Sequence, residues 1–384
     1  MKIGIIVIGY NRPKSLERLI HSILDARYEN EENIDLIISI DKSEKENEIL
    51  KIAESVVWER GEKIVRVFKE RQGLRNHVLQ CGDLSINYDA IILLEDDITV
   101  SKNYFQYVYD AVKFYKNEDK VAGISLYKIL FHQGVKRFFE PDNNGYDAYF
   151  MQYAQSWGQC WTKEMWKKFR EWYNMNKDLN LNTGDILPMY IVNWNNQSWL
   201  KYYMYYIVQQ DKYFVYPSIS LTTNYSEIGE HCAEQINDYQ VPILNGTKDF
   251  KFPVFENGLK YDIFLERMDI DKLIFPELYG KKILDLYGSR HNYEDARYVI
   301  STRELPYKKI KSIGLIRRPI ELNCIEPNFG KGIYVYDMLE DSKEHKTYTN
   351  YITRYDTRGL PWKRLLELGF ISLIRAIINR IRNK

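Results

Sequence analysis

Near the start of the chain, four apolar, β-branched runs recur, and residues spaced as in a helix follow each of the first three. The runs are Ile3–Ile8, Ile34–Ile40, Ile64–Phe68 and Ala90–Leu94. Ala90–Leu94 has no polar alternation, the pattern of a strand buried on both faces of a parallel sheet, and the β-branched content of the other runs reads as strand. "KSLERLIHSIL" carries apolar residues at 16, 19, 20, 23 and 24, a helical period, and "KENEILKIAESVVWERG" and "LRNHVLQCGDLSI" read as two more helices. The order β-α-β-α-β-α-β predicts an α/β fold with an open, mainly parallel sheet flanked by helices. Ligands of such sheets bind beyond the carboxyl ends of the strands. Arg12, Asp41 and Glu95-Asp96-Asp97 all follow strand ends and are expected on one rim.

The last of these groups raises a physical question. "AIILLEDDITV" sets three adjacent acids at the mouth of a buried strand, where like charges raise one another's pKa. Acids can cap a helix from a solvated turn. A parallel sheet with Asp41 and Arg12 on the same rim favours a different answer, a hard divalent cation. Mn²⁺ or Mg²⁺ held by one or two carboxylates, its other positions filled by phosphate oxygens and water, suits a diphosphate leaving group.

Composition narrows the classes. Lys and Arg total 54 against 53 for Asp and Glu, a net charge of +1, which argues against a nucleic-acid binder. The 32 tyrosines can pack while hydrogen-bonding, as polyhydroxylated ligands require. Cys81, Cys160, Cys232 and Cys324 are far apart with no CxxC pair, as expected of reduced thiols in a cytoplasmic protein. "MKIGIIVIGYNRP" holds too short an apolar run for a signal peptide, and no window has the ~18 apolar residues of a spanning helix.

Further on, "YFQYVYDAVKFY" reads as a helix and "VAGISLY" as a strand, before a Trp- and Tyr-rich stretch from Tyr149 to Tyr216. Composition changes after "FVYPSISLTTN". The expected organisation is a first domain over 1–245, an α+β extension over 246–345 and a tail over 346–384.

On these residues the first domain resembles the GT-A glycosyltransferases, and most nearly the pattern of N-acetylglucosaminyltransferase I and its bacterial relatives. "LLEDDITVSKNYF" is similar to the family's strand ending in Glu-Asp-Asp. The resemblance implies Asp97 as metal ligand, with Glu95 and Asp96 near the sugar and ribose. "IGIIVIGYNRP" is similar to the first strand, which implies that Arg12 contacts the nucleotide. "LIISIDKS" is similar to the second, which implies that Asp41 reads the uracil. "RQGLRNHVL" looks like the nucleotide-side helix, offering Arg75 and His77 to the diphosphate. "QSWGQCW" is similar to the segment lying against the donor sugar, where Gly158 permits close approach and Trp157 stacks.

The chain departs from this pattern at the catalytic base. The family's Asp would fall in "NWNNQSWLKYY", which has no carboxylate, and an ungapped reading places Leu200 there. An inverting transfer needs a base within reach of the acceptor hydroxyl. Asp185, Glu227 and Glu230 are the candidates, and His231 is placed to approach the metal or phosphate. The implied activity is transfer of a hexose or N-acetylhexosamine from a UDP-sugar to a saccharide, including a lipid-linked one, in synthesis of surface polysaccharide such as O-antigen or capsule. A nucleotidyltransferase would carry a Gly-rich loop, which "IGYNRPKS" lacks. A sugar- or nucleotide-sugar-binding protein that has lost its base is the alternative from another class.

The tail "WKRLLELGFISLIRAIINRIRNK" places Leu366, Phe370, Leu373, Ile374, Ile377, Ile378 and Ile381 at helical spacing. Its six cations against Glu367 alone, with Trp362 at its start, predict a peripheral helix on the inner, anionic membrane surface.

Overall fold

A computed structural model describes residues 1–28, 33–181, 186–225, 227, 237–268, 270, 273–293, 295–342 and 351–382. Contacts divide the chain into two compact units, 1–273 with 289–294, and 274–288 with 295–384.

The first unit is the predicted α/β fold. β1 (Ile3–Gly9), β2 (Ile34–Ile40), β3 (Lys63–Val67) and β4 (Ala90–Glu95) alternate with α1 (Pro13–Leu24), α2 (Glu46–Ser55) and α3 (Gly73–Gly82). After a short β5 (Ile98–Val100) come α4 (Tyr104–Tyr115), β6 (Val121–Ser125) and a small hairpin, β7 (Phe131–His132) and β8 (Arg137–Phe138). β9 (Ala148–Met151) and β10 (Gln159–Thr162) lead into α5 (Lys163–Asn176), α6 (Met189–Val192) and α7 (Trp199–Gln209). β11 (Tyr213–Pro217), β12 (Thr222–Asn224) and β13 (Lys260–Tyr261) finish the unit.

Nine of these strands form one sheet in the order β13-β9-β11-β6-β10-β4-β1-β2-β3. β4, β1, β2 and β3 are parallel neighbours, as are β6 and β11; β10 runs antiparallel between β4 and β6. Every residue of β1 and β2 is buried; the polar Asp35 and Ser39 of β2 are hydrogen-bonded to Tyr88 and His77.

Two boundaries differ from those the sequence predicts. The second helix stops at Ser55 because Val56 is extended, and Trp58 then donates its indole N–H to the Ile34 carbonyl at 2.6 Å. The third ends at Gly82, followed by a 3₁₀ turn over Asp83–Asn87. Beyond the compositional change at 245, residues up to Leu273 still belong to the first unit. β13 pairs with β9, and Phe250 and Phe252 pack on Tyr107.

The second unit holds a four-stranded sheet in the order β14-β15-β17-β16, from β14 (Lys282–Asp285), β15 (Tyr298–Ser301), β16 (Tyr307–Gly314) and β17 (Gly332–Asp341). It also carries α8 (Leu322–Ile325), α9 (Tyr351–Asp356) and α10 (Trp362–Arg382).

Candidate active site

β4 delivers three acids in succession. Glu95 is its last residue, and Asp96 and Asp97 make the turn into β5. β1 runs parallel to β4 with Ile8 opposite Glu95, so the turn after β1 reaches the same edge. That turn carries Arg12, whose guanidinium donates to Asp96 and lies 3.6 Å from Asp97 Oδ2. Tyr10 adds a backbone N–H to Asp96.

The charges are not balanced. Burial pushes Asp96 up to about 7; Arg12 opposes the shift and Asp97 adds to it. Burial, then Asp97 and Asp96, holds Glu95 well above the usual carboxylate range. Burial lowers the Arg12 pKa, but Asp96, Asp97 and Glu95 outweigh it and leave it raised. Two buried oxygens, Glu95 Oε1 and Asp97 Oδ1, have no hydrogen-bond partner among the described residues. Such oxygens are costly unless a cation stands beside them.

No group of three or more His, Cys, Asp and Glu is placed to hold a metal among the described residues. A divalent ion that completes its shell with substrate phosphate and water needs only one or two carboxylates. The two orphaned oxygens fit that kind of site.

Asp41 ends the next strand, and it is buried. Its carboxylate accepts backbone N–H groups from Lys42 and Gln72 at 2.8 Å and Gly73 at 2.9 Å. It therefore pins the turn that opens α3 to the end of β2. Arg75 is held by aromatic and backbone partners. It donates from Nε to the Tyr173 hydroxyl at 2.8 Å and from Nη1 to the Asn196 carbonyl at 3.2 Å, and stacks 4.5 Å from Tyr202. His77 is a correction. It is buried against Phe68 and bonded to Ser39 at 2.8 Å, and burial lowers its pKa to about 4, so it is neutral and offers no positive charge to a diphosphate.

Trp157 and Gly158 are tied to the acidic turn by the ribbon of β5 and β12. Thr222 pairs with Val100 and donates its hydroxyl to the Trp157 carbonyl at 2.6 Å. Three residues on, the Tyr225 N–H donates to the Asp97 carbonyl at 3.0 Å. Gly158 has φ +93°, and a Cβ there would sit 2.8 Å from Thr222 Cγ2, so glycine is required. Trp157 packs against Tyr127 at 4.8 Å and Tyr239 at 4.9 Å, in a cleft also lined by Tyr153, Gln155 and Tyr190.

Among the candidate bases, Asp185 and Glu230, with His231, lie outside the described residues. Leu200 sits in the first turn of α7, and no residue from Met189 to Gln209 is acidic. Glu227 accepts two bonds from Arg18, at 2.7 and 3.0 Å, and one from Ser15. The Arg18 bond lowers its pKa, which makes it a weak base. Sequence reasoning missed Thr222, Tyr225 and Arg18, because the β5–β12 pairing and the Arg18–Glu227 contact join residues more than a hundred positions apart. The only local sign was the short "LTTN" run.

A family model described as the SPBC1E8.03c C-terminal domain matches residues 14–180, short of half the chain. No curated protein matches the chain. Solved structures similar to it include S. aureus TarS 1-349 in complex with UDP-GlcNAc, at 13% identity and TM-score 0.39, covering 60% of this chain and 60% of that one. A mannosyltransferase from Pyrobaculum calidifontis in complex with GDP-Man and Mn²⁺ has 12% identity and TM-score 0.32, covering 44% and 46%. Mouse xyloside xylosyltransferase 1, apo form, has 11% identity and TM-score 0.35, covering 56% and 84%. The chain spans less than two thirds of the first two.

Proposed function

We propose that this chain is a metal-dependent, inverting glycosyltransferase that moves a sugar from a UDP-sugar to a saccharide acceptor. The observation that carries the reading is the pair of buried oxygens on Glu95 and Asp97 that have no hydrogen-bond partner among the described residues, at the mouth of a parallel strand beside Arg12. Asp97 and Glu95 would hold Mn²⁺ or Mg²⁺, which offsets charge on the departing diphosphate when bound. Arg12, bonded to Asp96, shares that task. Asp41 selects uridine, both by accepting from the base and by shaping the Gln72–Gly73 turn. Trp157 offers an apolar face to the sugar, and Arg75 reaches the diphosphate by leaving Tyr173. Asp185 or Glu230 supplies the base. A lipid-linked acceptor in surface polysaccharide synthesis, used on the cytoplasmic side, suits the tail.

The lack of any acid from Met189 to Gln209 favours one second reading, a nucleotide-sugar-binding protein without turnover. A screen of nucleotide sugars by thermal shift with Mn²⁺ tests the donor, since a true ligand stabilises by mass action. Release of UDP from the best donor, lost with chelator, is the result expected of the enzyme; stabilisation with no release over long incubation favours the binder. Asp41→Ala is expected to erase discrimination between UDP and GDP, and unchanged discrimination removes Asp41 from base recognition.

A further inference from the structure

α10 stands apart from the helix before it. α9 is held to its own unit, with the Tyr355 hydroxyl donating to the Arg317 carbonyl at 2.7 Å and Arg318 stacked 4.3 Å from the Tyr355 ring. Arg358 at φ +53° and Gly359 at φ +77° then turn the chain sharply into α10. From there the packing stops. Trp362, Leu366 and Phe370 are 66, 64 and 66% exposed, and Leu373 and Ile377 are 59 and 50% exposed. A helix this apolar, bare on every turn whose side chains are described, is built to be covered.

Its pattern says by what. Leu366, Phe370, Leu373, Ile374, Ile377 and Ile381 fall on one stripe by helical spacing. Arg364, Ser372, Arg375, Asn379 and Arg382 fall on the other. From Trp362 to Lys384 six cations face Glu367 alone, a net of +5 on a chain whose total is +1. Glu367 is itself paired with Arg364 at 2.9 Å. A second copy of the same helix would bring this charge against itself, whereas an anionic bilayer complements it. At 1.5 Å per residue the helix is about 30 Å long, yet no described helix is long and apolar enough to cross a membrane. Trp362 at the first position is an amphipathic ring suited to the headgroup level.

We propose that α10 lies flat in the headgroup region of an anionic bilayer, with its Leu366–Phe370–Leu373–Ile377 stripe toward the acyl chains and its arginines among the phosphates. The surface is thus a membrane, whatever the donor and acceptor sugars are. The test is co-sedimentation of the full-length protein with vesicles of phosphatidylglycerol and phosphatidylcholine, and with phosphatidylcholine alone. Binding is expected to the first, weaker by about tenfold or more on the second or at high salt. The double variant F370E/I377E should remain in the supernatant while keeping the thermal unfolding midpoint of the parent protein, which separates loss of the anchor from loss of the fold. Absence of binding to the anionic vesicles overturns the proposal, as does equal binding by the double variant. So does a concentration-dependent dimer that the variant abolishes without any vesicle binding, because the stripe is then a self-association face.

Discussion

The first unit carries carboxylate clusters at opposite ends of the same sheet, and they are built on opposite principles. Before the start of β6, Asp119 accepts from Lys168 at 2.6 Å and from Lys212 at 2.9 Å. Its side chain is 73% exposed, and the Lys168 and Lys212 bonds lower its pKa to about 2. A roomy cavity lies beside it, lined by Lys116, Glu118, Thr162, Lys168 and Lys212. After the end of β4, three acids share one guanidinium, Asp96 is pushed up to about 7, and two buried oxygens have no partner among the described residues. A cavity thus lies beside the satisfied cluster, while the frustrated one is where we propose the chemistry. Unbalanced charge persists in a folded protein where a ligand will balance it.

The sharpest way to break this contrast is to delete one acid from each end. Asp97→Ala should weaken binding of UDP with Mn²⁺ by more than about 100-fold, above the usual cost of losing an outer-shell partner. Asp119→Ala should leave that affinity unchanged. Calorimetry reads both, and similar effects from the two variants would remove the distinction.

Stability should separate the ends next. Arg12→Met leaves carboxylates buried without their cation, a loss of about 3–5 kcal/mol. Lys168→Met removes an exposed pair worth about 1 kcal/mol or less. Urea unfolding measures each, and equal losses would mean that the Asp96 pair is no more buried in effect than the Asp119 pair.

A smaller effect lies in the pH dependence without metal, and its sign differs between the ends. Asp96 has its pKa raised by folding from 3.8 to about 7, so the folded protein holds a proton that the unfolded chain releases. Its contribution is favourable below the unfolded value and is lost as pH rises from about 4 through about 7. Glu95, also raised, acts in the same direction. Asp119, lowered to about 2, contributes above the unfolded value and is lost as pH falls from about 4 toward 2. Added Mn²⁺ should therefore raise the unfolding midpoint more near neutral pH than near pH 5, where protons compete for the same oxygens. A midpoint gain independent of pH would argue against the β4 acids as its source.

Much of the first unit was legible because β1, β2 and β4 are buried on both faces, whereas β3 at the sheet edge is only half-buried. An unbroken run such as Ala90–Leu94 reads as core, and polar residues that follow such a run lie at a strand end. The sequence order therefore places Arg12 and the three acids at one edge, and the structure joins Arg12 to Asp96 by a hydrogen bond and to Asp97 by an ion contact. Arg75 and His77 show where this reasoning stops. Their helical spacing was plain, but which neighbour each side chain meets depends on how α3 packs. Tyr173 and Tyr202 take Arg75, and Ser39 takes His77.

Hydrophobic periodicity and the acids after β4 were enough to determine the parallel strands β1 to β4, the shared edge that carries Arg12 and the acids, and the amphipathic pattern of α10, since these follow from local order along the chain. The tertiary structure decided that Asp41 holds a turn, that Trp157 is tethered through Thr222 to the acidic turn, and that Glu227 is spent on Arg18. Those outcomes rest on contacts between residues far apart in sequence. Their geometry is set only when strands pair and helices dock, and no local pattern encodes it.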